Sequence, residues 1–150
     1  MAGVRRPLVL VPLIALFVVV AFGLARFLTQ ENDERDRLET LVTREARGDT
    51  AGVLALLRAC DAQCEAKVRA FVPRVAGAGP GNPKIVRLDS DTAYSLGTSE
   101  GWSRVVWVRT PEARPVVQCV RVRREGGPFA GRTITLLRVT APLADNEQSC

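Results

Sequence analysis

The chain has 150 residues, 21 basic and 16 acidic side chains, a formal net charge of +5 and no histidine. The missing imidazole excludes a Ser-His-Asp or Cys-His nucleophile pair, an H-E-x-x-H zinc site and any histidine-bound catalytic metal. Without Arg5, Arg6 and Arg26 near the N-terminus, 18 basic residues face 16 acidic ones, and this net charge of +2 does not indicate nucleic-acid binding. We therefore expect a protein that is not an enzyme and binds no metal, cofactor or nucleic acid.

An apolar stretch from Pro7 to Ala25, with no charged or strongly polar side chain, is the first feature along the chain. As a helix, its nineteen residues would be about 28 Å long, close to the ~30 Å hydrocarbon core of a bilayer. The basic tip at Arg5 and Arg6 would stay in the cytoplasm, and the acid-rich flank from Glu31 to Asp36 would follow on the outer side. We predict a single-pass plasma-membrane protein, with a cytoplasmic tip and signal anchor in residues 1–28 and an extracytoplasmic C-terminal domain.

The same stretch has a second interpretation, a signal peptide that is cleaved after Ala25. Gly23 and Ala25 are small residues at the two positions that a signal peptidase inspects. The apolar region of a signal peptide is only about 7 to 15 residues long, however, which favours a retained anchor. A twin-arginine export signal at Arg5 and Arg6 is a weaker interpretation, because Pro7 follows directly and the polar lead-in is missing.

Three helical segments are predicted after the anchor. In residues 29–47, apolar side chains recur at spacings of three and four among charged ones, which predicts a helical stalk whose mixed-charge face is solvated. Gly48 interrupts this helix, and Asp49 or Thr50 would cap a short second one. Asp61 would cap a third helix, on which five residues form a buried stripe. They are Cys64, Val68, Phe71, Val72 and Val75.

Strands follow a Gly- and Pro-rich loop at residues 76–83. The predicted strands are Ile85 to Leu88, Thr92 to Leu96, Trp102 to Thr110, Val116 to Arg124 and Thr133 to Ala141. The first two would form a hairpin around a turn at residues 89–91, and the third, apolar on both faces, would be central. In the fourth, the side chains that face the core would be Val116, Gln118, Val120 and Val122.

The predicted architecture is α+β: one N-terminal transmembrane helix, then short helices packed on a curved antiparallel sheet of about four to five strands. Residues 48–142 would form a small extracytoplasmic domain, and residues 143–150 a C-terminal tail. Roughly 120 residues lie beyond the anchor, which is enough for one hydrophobic core and not for two.

Four cysteines lie beyond the anchor, at Cys60, Cys64, Cys119 and Cys150. Their position and even number fit a domain in an oxidising compartment, where disulfides persist. Three pairings are possible, and we favour Cys60 with Cys64 and Cys119 with Cys150. The C-x3-C spacing is also compatible with a redox centre or with half of a zinc site. We favour a structural clip across a turn, because a thioredoxin-like centre has two intervening residues and zinc would need two further ligands.

The element order carries a family resemblance. The anchor in front, the Gly48-Asp49 break before a small-residue helix and the sheet that follows resemble the NTF2-like exported domains of high-GC Gram-positive bacteria, from about Asp33 to Pro142. The resemblance implies a cone-shaped cavity for small apolar ligands, which in some members holds an acid-base pair of Asp with His or Tyr. This chain lacks the His, so no catalytic role carries over. The segment from Pro115 to Arg124 also resembles uncharacterised bacterial membrane proteins.

Three functions are compatible with these features. The one that we favour is a non-enzymatic, membrane-anchored domain that interacts with a protein partner in the cell envelope. The second is a small-ligand-binding protein or carboxylate-dependent enzyme, with a pocket formed from Tyr94, Trp107, Asp89 and Asp91. Against it, Asp is a typical turn residue and strand aromatics are typical core residues. The third is a surface for anions or anionic lipid, made by Arg121, Arg123, Arg124 and Arg138, although a solvated sheet face explains these arginines equally simply.

Overall fold

Helices occupy the first half of the chain and strands the second. The computed structural model describes residues 5–28, 30–77, 81–92, 97–110, 113–126, 133–144 and 150. The helices are α1 (Arg5–Leu28), α2 (Gln30–Ala46), α3 (Thr50–Leu56) and α4 (Ala62–Ala76). The strands are β1 (Lys84–Ser90), β2 (Ser99–Val108), β3 (Val116–Glu125) and β4 (Thr133–Val139). The described strands form one antiparallel sheet in the order β1-β2-β3-β4, and the predicted α+β class is confirmed.

Helix α1 carries apolar side chains on all of its sides. Those described extend from Leu10 to Ala25, and the large ones are half to three-quarters exposed, from 50% for Phe22 to 72% for Phe17. Within the part of the chain that the structure describes, no helix is both long enough and apolar enough to cross a membrane. The transmembrane helix stays a prediction.

The helix boundaries after α1 follow the predicted caps. Gly48, with a φ of 75°, lies in the left-handed region and ends α2. The Asp49 side chain accepts a hydrogen bond from the Gly52 amide at 2.8 Å, and the Asp61 side chain accepts one from the Cys64 amide at 2.9 Å. Each aspartate therefore satisfies an N–H group that the first turn of its helix leaves unpaired.

Helix α2 packs into the hydrophobic core through its apolar stripe, and the predicted solvated face is wrong for two of its acidic residues. Leu38, Leu41 and Val42 are fully buried against α3, α4 and the sheet. Glu34 and Glu45, which the sequence placed on a solvated face, are also buried. The physical reason is that both carboxylates find hydrogen-bond donors on the sheet, which offset the loss of water.

The first hairpin differs from the predicted one. β1 pairs with β2, with Ile85 opposite Trp107 and Ser90 opposite Ser103. Asp89 therefore lies within a strand and not in a turn, because the strand continues to Ser90. The predicted return strand from Thr92 to Leu96 falls mostly on residues 93–96, outside the described ranges. As predicted, β2 is a central strand, between β1 and β3.

The inner face of β3 carries the predicted core residues Gln118, Val120 and Val122, and Val116 packs at its margin. The same alternation continues to Arg124, which is only 4% exposed. The outer edge of β4 is covered by the segment after α3. There the amides of Arg58 and Ala59 donate to the carbonyls of Leu136 and Leu137 at 2.9 and 3.1 Å.

Both favoured disulfides are present. Cys60 and Cys64 are joined across the start of α4, with their Cα atoms 5.1 Å apart, and Cys64 begins the buried stripe of that helix. Cys119 on β3 is joined to Cys150 at the C-terminus, with a Cα separation of 5.7 Å. Cys60 and Cys64 bond to each other, so neither is a free thiol that could bind zinc, and the structural clip stays a prediction.

Candidate functional site

A buried polar cluster joins the N-terminal half of α2 to the sheet. The Glu34 carboxylate forms an ion pair with Arg124 and accepts hydrogen bonds from the hydroxyls of Ser103 and Ser90, the latter at 3.1 Å. The Thr92 hydroxyl lies 3.5 Å from the same carboxylate and 3.1 Å from Ser90 Oγ. Because hydroxyl and guanidinium groups surround the carboxylate, Glu34 is tied to protein donors and not presented to a substrate.

A second buried acid lies three turns further along α2. Glu45 is fully buried, and its Oε2 accepts a hydrogen bond of 2.7 Å from Gln118 Nε2 on β3. Burial raises the pKa of Glu45 to about 7, and the Gln118 hydrogen bond opposes part of that rise. Among the described residues, Glu45 Oε1 and Gln118 Oε1 have no hydrogen-bond partner. A proton on Glu45 would therefore remove a charge from a site with few donors.

The residues of the predicted ligand pocket that the structure describes do not come together. Trp107 is a core residue, 1% exposed, on the inner face of β2. Asp89 lies on β1 and forms an exposed ion pair with Arg87 at 2.8 Å, and Asp91 is exposed beyond the end of that strand. Tyr94 lies outside the described residues.

Three of the four arginines of the predicted anion surface, Arg121, Arg123 and Arg138, stay exposed on the sheet, where Arg121 lies opposite Arg138. Arg124 points into the core and pairs with Glu34, so its place on that surface was wrong. Arg121 and Arg123 share one partner, Glu100, at 2.7 and 2.8 Å. Hydrogen bonding from Arg123, with the charge of Arg121 beside it, lowers the pKa of that carboxyl. Arg138 instead bonds the Ala59 carbonyl and Asp61, each at 2.8 Å.

One open groove lies where α4 begins, next to the end of β4. Its volume is about 410 Å³, and its lining includes Lys67, Trp102, Arg138 and the Cys60–Cys64 bridge at Cys64. Trp102 also stacks below the Arg121 guanidinium, 5.9 Å from the ring centroid. The sequence analysis did not assign these residues to one place, because the contact between α4 and β4 joins segments distant in the chain.

A smaller groove, of about 190 Å³, lies between α2, the end of α3 and the start of β4. We call it the Arg37 groove. Its lining is Arg37, Ala55, Leu56, Arg58, Thr133, Ile134, Thr135 and Leu136. Among the described residues that line the groove, two are basic and none is acidic. The sequence analysis missed it, because Arg37 was one charge among many on a mixed helical face.

Within the described ranges, no three carboxylate or cysteine side chains come together as a possible metal-ligand set. Comparison of the chain with protein-family models, with curated proteins and with solved structures gave no match. The NTF2-like resemblance stays a prediction.

Proposed function

We propose that this protein is a single-pass domain anchored in the plasma membrane and exposed on its extracytoplasmic side, where it acts by binding another component of the envelope and not by catalysis. In this proposal α1 is the anchor, and Arg5 and Arg6 stay in the cytoplasm. The observation that carries the proposal is the apolar, exposed surface of α1, from Leu10 to Leu24.

A helix with apolar side chains on every side needs an apolar environment, because exposing that surface to water is unfavourable. The described side chains of residues 10–25 cover about 24 Å of helix. The apolar sequence begins three residues earlier, at Pro7, and its full length of about 28 Å is close to the thickness of a bilayer core. Pro12 lies inside α1, and proline is tolerated in membrane helices.

The two disulfides support an extracytoplasmic position for the domain. Disulfides persist in oxidising compartments and are rare in the cytosol of mesophiles. Both bridges lie beyond α1, as expected if the chain crosses the membrane once. The buried acids support a non-enzymatic role, because Glu34 and Glu45 bond to the protein's own sheet.

Membrane fractionation tests the anchor. We expect the full chain to stay in the membrane pellet after alkaline carbonate extraction, and protease added to spheroplasts to reach the domain. Two arginines at the centre of α1, Val18→Arg with Val19→Arg, should prevent insertion, since each costs about 2.5 to 3.5 kcal/mol there. The matched control is Val18→Leu with Val19→Leu. Extraction of the unaltered chain by carbonate, or a mature N-terminus at Arg26, would contradict a retained anchor.

Crosslinking tests the binding role. Crosslinking in native membranes, followed by purification of the full chain, should recover the same protein partner in repeated preparations. A parallel purification from membranes that lack the chain serves as the control, because a chain that fails to insert would stay in a reducing compartment and lose its disulfides. If no partner is enriched over that control, the envelope-interaction role is wrong.

A further inference from the structure

We infer that the Arg37 groove binds the phosphate of an anionic lipid headgroup from the membrane leaflet next to the domain. The inference rests on the proposed function, because it needs α1 to hold the domain at the bilayer. It concerns other residues than the predicted anion surface on the sheet, whose exposed arginines form ion pairs with Glu100 and Asp61.

Within the described ranges, no side chain neutralises the charge of the groove. Neither the Arg37 nor the Arg58 guanidinium has an ion pair or hydrogen bond to the described part of the chain. Other arginines do: Arg35 pairs with Glu39, and Arg87 with Asp89. The two groove arginines are thus available to a ligand, and both are exposed.

The chemistry of the groove fits a phosphate group. A guanidinium has a planar set of N–H donors that matches two phosphate oxygens at once. Arg37 on α2 and Arg58 after α3 line the same groove from different elements, so two guanidinium groups face one site. Ala55, Leu56 and Leu136 add apolar lining, which suits the glycerol and first methylene groups of a lipid better than a free ion.

The position of the groove selects lipid over other phosphates. Arg37 is the eighth residue of α2, so about 10 Å of helical rise separates it from Gln30, next to the end of α1. The headgroup layer of one leaflet is roughly 5 to 7 Å thick, and surface charges act over about 8 to 10 Å at physiological salt.

The start of β4 lies at the same end of the domain as the start of α2. Thr133 pairs with Glu125 and Ile134 with Arg124, and the Arg124 side chain reaches Glu34, five residues into α2. The β4 wall of the groove is therefore near the beginning of α2, on the side where a membrane holding α1 would lie.

The test measures lipid retention on the full chain in a neutral detergent by native mass spectrometry. We expect phosphatidylglycerol to bind and phosphatidylcholine not to compete. Arg37→Gln with Arg58→Gln should weaken phosphatidylglycerol binding at least about tenfold, since one hydrogen bond to a charged group contributes about that factor or more. The matched control is Arg74→Gln with Arg114→Gln, which removes the same charge from exposed positions outside the groove. Equal retention by the two double variants would overturn the inference.

A second arm identifies the source of the phosphate. If millimolar inorganic phosphate displaces phosphatidylglycerol in a titration, the groove is a site for free phosphate and the lipid assignment is wrong. Undisturbed lipid retention supports it. The same preparations are fractionated with alkaline carbonate. Loss of the chain from the membrane pellet would contradict the anchor, whereas equal phosphatidylglycerol retention by the two double variants would contradict only the groove.

Discussion

Glu34 on α2 and Arg124 on β3 form an ion pair in which both side chains are buried, and the two residues are 90 positions apart in the chain. The pair joins the first helix of the domain to a central strand. Ser90 and Ser103, on β1 and β2, donate to the same carboxylate, so one acid links α2 to three neighbouring strands.

Removing one partner of this pair should destabilise the domain far more than removing both. Arg124→Met leaves the Glu34 carboxylate buried without its cation, which costs about 3 to 5 kcal/mol. In Glu34→Met with Arg124→Met, no charge is buried, and most of that loss should return. Urea unfolding of the full chain in neutral detergent, followed by the fluorescence of the buried Trp107, measures both. A double variant as unstable as Arg124→Met alone would show that packing, and not charge, sets the cost.

Glu45 should make the domain less stable as the pH rises. Its pKa in the folded protein is raised to about 7 from 4.5, so the folded state holds a proton more tightly than the unfolded state. The resulting stability is fully present below pH 4.5 and is lost as the pH rises through about 7, up to about 3 kcal/mol. Urea unfolding at several pH values between 4.5 and 8.5 measures this slope.

Glu45→Gln is the matched variant for that slope. It keeps the size and a hydrogen-bonding amide next to Gln118 but cannot ionise, so stability in this range should become nearly independent of pH. A slope that survives in Glu45→Gln would assign the pH dependence to another group.

Much of the fold was predictable because it depends on local signals. The capping aspartates Asp49 and Asp61 and the alternation along β3 are determined within a few residues, whereas counting the cysteines left three pairings open. The buried charges were not predicted, although their periodicity was visible: Glu34 and Glu45 continue the stripe of Leu38, Leu41 and Val42 at helical spacing. Arg124 likewise continues the inward set of β3. At each of these positions the charge predicts a solvent-exposed side chain. Only the contacts between segments that are distant in the chain show that the side chain is buried.

The Arg37 groove could not be predicted from the sequence for a similar reason. Arg37 and Arg35 are alike in sequence, since both lie on the mixed-charge surface of α2. Arg35 donates to Glu39 and to the Ile85 carbonyl, whereas Arg37 lines a groove with β4. The difference comes from the rotation of α2 against the sheet, which the local pattern does not define.

The two disulfides should contribute unequally to stability. Cys119 and Cys150 are 31 residues apart, and bridging a loop of that size contributes about 3 to 4 kcal/mol by restricting the unfolded chain. Cys60 and Cys64 are four residues apart, and their bridge restricts the unfolded chain much less. We expect Cys119→Ser with Cys150→Ser to lower the urea midpoint clearly more than Cys60→Ser with Cys64→Ser. Equal losses would mean that the short bridge mainly holds native packing at the start of α4.

Arg109 should hold the ends of two helices at once. Its Nη2 donates to the carbonyls of Ala46 and Val75, at 2.5 and 3.0 Å, and these belong to the last turns of α2 and α4. A cation at a helix C-terminus is favourable, and it here satisfies carbonyls that lack a partner within the helix. Arg109→Met should therefore cost about 1.5 to 3 kcal/mol, as expected for hydrogen bonds to a charged group.

Hydrogen exchange distinguishes the loss of Arg109's contacts with the two helix ends from a general loss of stability. In Arg109→Met, amides in the last turns of both α2 and α4 should exchange faster together, while those of β3 keep their protection relative to the global stability. Arg109→Lys retains the charge but has a single donor centre, so it should restore part of the stability and protect the two helix ends incompletely. Faster exchange in only one helix would show that the second contact contributes little, because the two carbonyls share one donor nitrogen.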